Sequence, residues 1–443
     1  MSAIAKHLKL AFAAGLTALT LSARPALAID VQEVVSKSGI KAWLIESHEA
    51  PIIDVEFAFR GGALQDPPGK PGLAQVMAYS FNEGAGDLKT EEFIKQRDKL
   101  GIGLGASAND EYVNLGFSTV TEKKDEALAL MELAMKRPRF DSSALEITRN
   151  YFINQYESAI RSPDSRLGER VNAVFFGKHR LSATSKEMLD AVKGISPDDI
   201  REIRRRLFAR DNLSIGISGD IDAKEAAVWI DRLFSELPAK AEFLPEQPTA
   251  YAGPVREVIE MELPQASVIF GAPVLPLDER ERLANALLGS VLNAGMTGRL
   301  FNEVREKRGL VYGIQANYSY NRLSGWYIGS FGSANATAAE ALKVALDVLK
   351  DVAEKGPTDE EIATYKDSLA GGYLLNLGSN QAIAATLLNI QARGLPTSHF
   401  INYVKLVQSV TPAEVRAVAK KLIDVKNFSV LAVGRPSPAI PTN

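Results

Sequence analysis

Ile195-Ser196-Pro197-Asp198-Asp199-Ile200-Arg201, followed by Arg206-Leu207-Phe208 and Asn212-Leu213-Ser214-Ile215-Gly216-Ile217-Ser218-Gly219, has a counterpart near the end of the chain in residues 410–436, without a gap. Pro197 pairs with Pro412, Leu207 with Leu422, Asn212 with Asn427, Ser214 with Ser429 and Gly219 with Gly434, always 215 residues apart. A repeat of this length is a domain in its own right and not a solenoid unit, so a whole domain has been duplicated. Each copy reads alike locally. Ser196 or Thr411 precedes a proline at the first helical position with acidic residues just after it, which is a helix start. The helix runs to about Phe208 or Ile423 and an apolar strand follows.

At the front of each half are alternating runs typical of half-buried strands, Ile53-Asp54-Val55-Glu56-Phe57-Ala58-Phe59 and Val258-Ile259-Glu260-Met261-Glu262-Leu263. Between front and back lie long amphipathic helices such as residues 126–136 and 338–355. Strands grouped around helical blocks predict an α+β layer architecture. The stretch 238–254 holds Pro238, Pro245, Pro248 and Pro254 with little periodicity, which suits an extended linker. The expected plan is an N-terminal domain over 29–237 and a C-terminal domain over 255–443, joined by that linker as a clamshell.

The first 28 residues read as a secretory signal: Lys6 and Lys9, an apolar run from Leu10 to Leu21, and the small-residue end Ala26-Leu27-Ala28. That run is shorter than the roughly 20 residues that span a bilayer. The mature chain is expected to be soluble and exported, with a bacterial periplasm as the best fit. There is no cysteine, so an oxidising compartment adds no disulfide. Removing the signal takes away three basic residues and no acid, moving the formal charge from −3 to −6. This balance argues against nucleic acid or anionic lipid as the main partner. The four histidines, His7, His48, His179 and His399, are far apart, and no His-x-x-Glu-His or His-Glu-x-x-His pair exists. Locally spaced zinc ligands are therefore missing, and His48, His179 and His399 read as surface or loop residues.

A second stretch speaks to function. A strand ending in Arg60-Gly61-Gly62 leads to Pro67-Pro68-Gly69-Lys70-Pro71 and then to the apolar helix Gly72-Leu73-Ala74-Gln75-Val76-Met77-Ala78-Tyr79-Ser80-Phe81-Asn82-Glu83-Gly84. This pattern resembles the entrance to the active helix of the pitrilysin/insulinase family, and the resemblance covers about residues 31–434. It implies two LuxS/metallohydrolase-like α+β domains closing as a clamshell. Family members carry an inverted His-x-x-Glu-His motif on that helix, two imidazoles for zinc and a carboxylate that activates water. Here those positions hold Gln75, Ala78 and Tyr79: a poor ligand, no base, and a phenol in place of an imidazole. The family's third ligand comes from a Glu-Glu pair on a later helix. Counting back from Pro163 in Arg161-Ser162-Pro163-Asp164 puts the neutral amides Asn154 and Gln155 there. The resemblance thus implies a vacated metal site, with no metal ligand in this chain.

The second half keeps another part of the pattern. Thr297-Gly298-Arg299-Leu300-Phe301-Asn302-Glu303-Val304-Arg305-Glu306-Lys307-Arg308-Gly309-Leu310-Val311-Tyr312 is similar to the family's most recognisable C-terminal segment. It reads as a helix ended by Gly309, then a strand opened by Tyr312 in which Ile314, Ala316, Tyr318 and Tyr320 share its face. Taken alone, Arg305 answers to the helix macrodipole and Tyr312 to packing. In the family, an Arg and a Tyr at this spacing hydrogen-bond the substrate backbone and the oxyanion formed at zinc, a role that suits a guanidinium and a phenol. Gly103-Leu104-Gly105-Ala106-Ser107-Ala108 corresponds to the family's small-residue edge strand, although small residues also simply allow close packing. Residues 293–298 lack the phosphate-binding Gly-x-x-x-x-Gly-Lys pattern.

A chain that keeps the Arg/Tyr half and lacks the zinc half makes sense beside a partner with the opposite inventory. The expectation is a non-catalytic subunit of a heterodimeric zinc peptidase, similar to the unequal pair of the processing peptidases. A homologous partner would hold the zinc, and this chain would bind peptide and lend Arg305 and Tyr312. Two rivals remain: a peptide-holding scaffold without a catalytic partner, and an independent hydrolase, for which neither a Gly-x-Ser-x-Gly elbow nor a cysteine nucleophile is present.

Overall fold

The computed structural model describes residues 30–437, apart from 248 and 323, together with residue 440. The expected secretory signal lies outside the described residues. The first sheet has six strands, β1 (Gln32–Val35), β2 (Lys41–Glu46), β3 (Ile52–Arg60), β6 (Gly103–Ala108), β7 (Tyr112–Val120) and β8 (Leu213–Gly219), in the order β1-β2-β8-β3-β7-β6. A small ribbon, β4 (Gly84–Ala85) with β5 (Leu88–Lys89), stands apart. The second sheet has five strands, β9 (Arg256–Glu260), β10 (Gln265–Val274), β11 (Ile314–Tyr320), β12 (Gly325–Ala334) and β13 (Ser429–Gly434), in the order β11-β12-β10-β13-β9.

Apart from β1 and the ribbon, the two orders superpose strand for strand. Each sheet is antiparallel except at one place, β2 beside β8 and β9 beside β13. The repeated segment builds the same unit twice. The helix Pro197–Leu207 starts in a capping box of Ser196 with Asp199, and Pro412–Leu422 in one of Thr411 with Glu414; β8 and β13 follow them. One sequence expectation shifts. The run 258–263 is strand only as far as Glu260; this first part is β9, the twin of β2, and β3 corresponds to β10. Alternation suits an edge strand as well as a central one, so the pattern could not assign the pairing.

On β3, Ile53, Val55, Phe57 and Phe59 alternate into a core closed by Ile200, Ile203 and Leu207 from one helix and Trp229, Leu233 and Phe234 from the helix Ala223–Phe234. Phe59 stacks on Phe208 at 3.9 Å, and Phe234 meets Phe57 edge-on at 5.0 Å.

The opposite face of each sheet is covered by a helix from the other half. Pro163–Phe176 lays Leu167, Val171 and Phe175 against Leu431 and Val433 of β13, and Phe176 meets Trp326 edge-on. In return, Asn380–Ala392 packs on β8 and β3, with Leu387 and Ile390 joining Trp43 and Ile45. It sits unusually close. A Cβ on Gly216 would lie 2.1 Å from the Ala384 carbonyl oxygen, and the Ile215 N–H donates to Gln391 Oε1 at 2.5 Å. The described residues between 241 and 255 form no helix or strand, and this stretch is held to the first half where the Gln65 amide both donates to Leu244 O and accepts from Leu244 N–H.

Asp54 and Glu56 point to the face beneath the Asn380–Ala392 helix, and burial pushes their carboxyls up to about 6 and about 7. Asp66, buried at the start of the Leu73–Tyr79 helix, is pushed up to about 7 for the same reason. A carboxyl that holds its proton more tightly folded than unfolded loses stability as pH rises from about 4 through its folded value, and no further above it. Unfolding measured across that window should show stability falling towards pH 7. Glu56→Gln should flatten the fall by about 1 kcal/mol once solvent screening of this partly exposed group is allowed for. A slope unchanged by that substitution contradicts the assignment.

Candidate functional site: a filled metal-motif helix and an Arg/Tyr pair

The helix Leu73–Tyr79 begins where the Asp66 carboxylate accepts the N–H groups of Gly72 and Ala74, each at 2.8 Å. Gly72 is left-handed at φ 86°, and a Cβ there would meet the Tyr156 hydroxyl at 2.8 Å. Leu73, Ala74, Val76, Met77 and Ala78 face the core and are buried. Gln75 and Tyr79, four residues apart, share the remaining face.

That face is occupied by aromatic rings. The Tyr156 hydroxyl donates to Gln75 Oε1 at 3.3 Å. Tyr79 stacks on Tyr151 with centroids 4.4 Å apart and meets Phe152 edge-on at 5.7 Å, and Phe152 stacks on Tyr156. Burial raises the phenols of Tyr79 and Tyr156 further from neutrality. An amide, a methyl group and phenols offer neither a general base near pH 7 nor a metal-ligand set. Among the described residues, no group of three or more His, Cys, Asp or Glu could hold a metal ion.

Asn154 and Gln155 need correction. Both are exposed on the helix Ser142–Arg161, and the residue that reaches Gln75 is Tyr156. Counting from Pro163 fixes distance along the chain but not the helical face. At 3.6 residues per turn, Thr148, Phe152 and Tyr156 face inward and Asn154 and Gln155 turn away. Two residues escaped the sequence reading. Tyr151 gives no signal except in stacking on Tyr79. Glu83 is buried beside that ring, one of its oxygens lacks a hydrogen-bond partner among the described residues, and burial raises its carboxyl. The histidines also divide differently. His48 is exposed and pairs with Asp220, whereas His179 is only 4% exposed, its Nδ1 accepting the Leu181 N–H as the cap of a short turn. Burial and Arg180 hold His179 below the usual imidazole range.

Arg305 and Tyr312 are brought together. The segment after Arg299–Phe301 forms a π turn, Asn302–Glu306, and Gly309 ends it at φ 65°. The Arg305 guanidinium donates to the Tyr312 carbonyl and lies 4.5 Å from the Tyr312 ring and 5.0 Å from that of Phe301. Tyr312 does not open the strand. It sits in a bend two residues before β11, where its side chain is freed from the sheet and 85% exposed. Among the described residues, no hydrogen bond, ion pair or ring contact joins this pair to Gln75 or Tyr79.

The outer edges of the two sheets differ. β6 ends its sheet, with no strand beyond it among the described residues. At β11 the Asn293 side-chain amide donates to Ala316 O and accepts from Ala316 N–H, both at 2.9 Å, as a neighbouring strand would. Among the described residues, no helix is long and apolar enough to cross a membrane.

Comparison with known proteins bears on this arrangement. Residues 41–186 match the family model described as Insulinase (Peptidase family M16), and residues 194–369 match that described as Peptidase M16 inactive domain. A protein of Helicobacter pylori named non-peptidase homolog YmxG is 23% identical over 397 residues, covering 88% of this chain and 90% of its own. An uncharacterized zinc protease of Streptomyces coelicolor is 28% identical, covering 82% of this chain and 80% of its own. Among solved structures, a peptidase M16 inactive domain from Pseudomonas fluorescens superposes with a TM-score of 0.85 at 22% identity, over 91% of this chain and 98% of that one. The periplasmic protease PqqL of Escherichia coli gives 0.79 at 14% identity, over 91% of this chain and 45% of that one.

Proposed function

The chain belongs to the insulinase (M16) family of peptidases, and from that premise we propose that it is the non-catalytic, substrate-binding subunit of a two-chain zinc peptidase. One observation carries the reading: aromatic packing fills the metal-motif helix while Tyr312 stays exposed beside a half-buried Arg305. The relative named a non-peptidase homologue supports the same direction. The metal belongs to a homologous partner with an intact His-x-x-Glu-His helix. This chain holds an extended peptide, with the free edge of β6 available for strand pairing, and supplies a guanidinium and a phenol to the oxyanion at the partner's zinc. Residues 1–28 direct export, and the pair works in the periplasm.

The test is to measure zinc and peptide cleavage for the mature chain, for its metal-bearing homologue, and for the mixture. Cleavage and zinc arising only when the homologue is present, with cleavage raised by this chain, are the expected results. Stoichiometric zinc with chelator-sensitive cleavage in this chain alone overturns the reading. A second reading, a peptide-holding scaffold, is favoured by one feature: Arg305 already binds the carbonyl of Tyr312 in its own chain. Peptide binding without any effect on the homologue's cleavage would select it.

A further inference from the structure

The face of the first sheet beneath the Asn380–Ala392 helix carries two acids, and the cation on the same strand and face, Arg60, stands four residues beyond Glu56 with its guanidinium over the Phe243 ring. Asp54 and Glu56 alternate with Ile53, Val55 and Phe57 along β3, so both project to that face. The helix Asn380–Ala392 and the strands β6, β7 and β8 contain no Lys, Arg, His, Asp or Glu. Asp54 is 5% exposed, and among the described residues its carboxylate makes no hydrogen bond or ion pair; burial alone moves its titration. Glu56 has one long hydrogen bond, from Gln381 Nε2 at 3.4 Å. Buried carboxylates without a donor or a cation are costly, and nothing packed on this face offsets that cost.

The floor beside them is bare. In register, Gly105 of β6 lies opposite Gly116 of β7, and Gly116 opposite Glu56; Gly103, Ser118 and Asp54 follow in the same way. The Glu56 carboxylate lies over Gly116, where a Cβ would come 2.1 Å from Oε2, and nothing stands within 4 Å of a Cβ on Gly105. A trench floored by glycine and serine thus runs from the free edge of β6 inward to a carboxylate. The second half offers the comparison. Ser267 and Ile269 stand in the register positions of Asp54 and Glu56, and a cavity of about 560 Å³ lies over Gly313, Gln315, Ser330 and Gly332. That cavity has no acid on its central strand; its acidic lining residue, Asp164, comes from the covering helix Pro163–Phe176.

We propose that the trench is a specificity subsite for one Lys or Arg side chain of an extended peptide paired to the edge of β6. The inference rests on the peptide-binding reading above. A strand added to β6 lies two strand spacings, about 10 Å, from β7, where the Glu56 carboxylate sits. An extended Lys or Arg with its hydrogen bond spans that distance, and shorter side chains do not. Every second residue of such a strand faces the trench, so the preference holds in one register only. Burial holds Asp54 and Glu56 at about 6 and about 7; the other ionisable groups on this face of β3 and β7, Arg60 and Tyr112, stand opposite each other at the far end of those strands, with the Tyr112 phenol raised by burial, so the subsite is fully charged only above neutrality.

The experiment uses the mature chain and fluorescent extended peptides of alternating Ser and Val, each with or without a single Lys at a scanned position. Binding is followed by anisotropy on both sides of the Glu56 titration. One register of Lys is expected to tighten binding about tenfold over the neutral peptide at alkaline pH. The gain should vanish in Glu56→Gln and at acidic pH, with neutral-peptide affinity unchanged. Gly105→Thr should abolish the same gain by blocking the trench without touching either carboxylate, which keeps the test intact if Glu56→Gln folds poorly. Equal binding of Lys-bearing and neutral peptides in every register overturns the subsite and leaves the peptide-binding reading standing. Failure of every peptide to bind, with and without the metal-bearing partner, overturns both.

Discussion

If this chain serves a zinc-bearing partner as proposed, Arg305→Ala and Tyr312→Phe are each expected to lower peptide hydrolysis by the assembled pair about a hundredfold, the usual loss when one preorganised oxyanion donor is removed, with the partner's zinc content unchanged. The expectation follows from exposure. Tyr312 is 85% solvent-accessible and contributes little packing, so Tyr312→Phe removes a hydroxyl and leaves stability within about 0.5 kcal/mol. The loss should fall on kcat, because a donor that meets charge only in the transition state does not strengthen ground-state binding. Arg305→Lys keeps the charge but loses the planar fork that holds the Tyr312 carbonyl; it should recover only part of the activity. A rise in KM at constant kcat would reduce the pair to a substrate clamp. No change in either parameter would remove it from the site.

Gly216→Ala is the second large effect, and it is structural. The new Cβ would stand 2.1 Å from the Ala384 carbonyl oxygen and 2.8 Å from the Leu388 nitrogen, both backbone atoms that no rotamer change can move aside. The Asn380–Ala392 helix must lift from the sheet, and the Ile215 to Gln391 hydrogen bond goes with it. Overpacking of this kind costs about 3 kcal/mol. Denaturant unfolding should show that loss, together with faster proteolysis within residues 238–254 as the halves loosen. Gly372→Ala, in the helix Asp359–Asn376 with open space at its Cβ position, is the control and should stabilise by about 0.5 to 1 kcal/mol. Equal responses of the two variants would refute the close approach at Gly216.

Local signals in the sequence carried far. The start residues Ser196 and Thr411 cap helices as their spacing predicts, and the 215-residue offset recurs as two sheets of matching strand order. What escaped were relations between distant segments. The pattern of Asn380–Ala392 shows an apolar helix, but nothing in it says that the sheet it covers belongs to the other half. Tyr156 was hidden because a count along the chain fixes no helical face, and Tyr312 because strand alternation continues past the residue where pairing begins. Asp54 and Glu56 read as the solvent side of a half-buried strand, and only the helix laid over them buries Asp54 and half-buries Glu56.

The exchange of covering helices also bears on the order of events during synthesis. When the last residue of β8 has been made, every strand of the first sheet exists, yet Trp43, Ile45 and the bare Gly216 stand uncovered until Asn380–Ala392 emerges more than 160 residues later. The second sheet has no such wait, since Pro163–Phe176 precedes all of its strands. The early half is therefore left with an open apolar face for most of the translation that remains, and it becomes complete only when the late half is nearly finished. Two separately expressed halves would each carry the other's missing cover, and they would find each other before either settled alone.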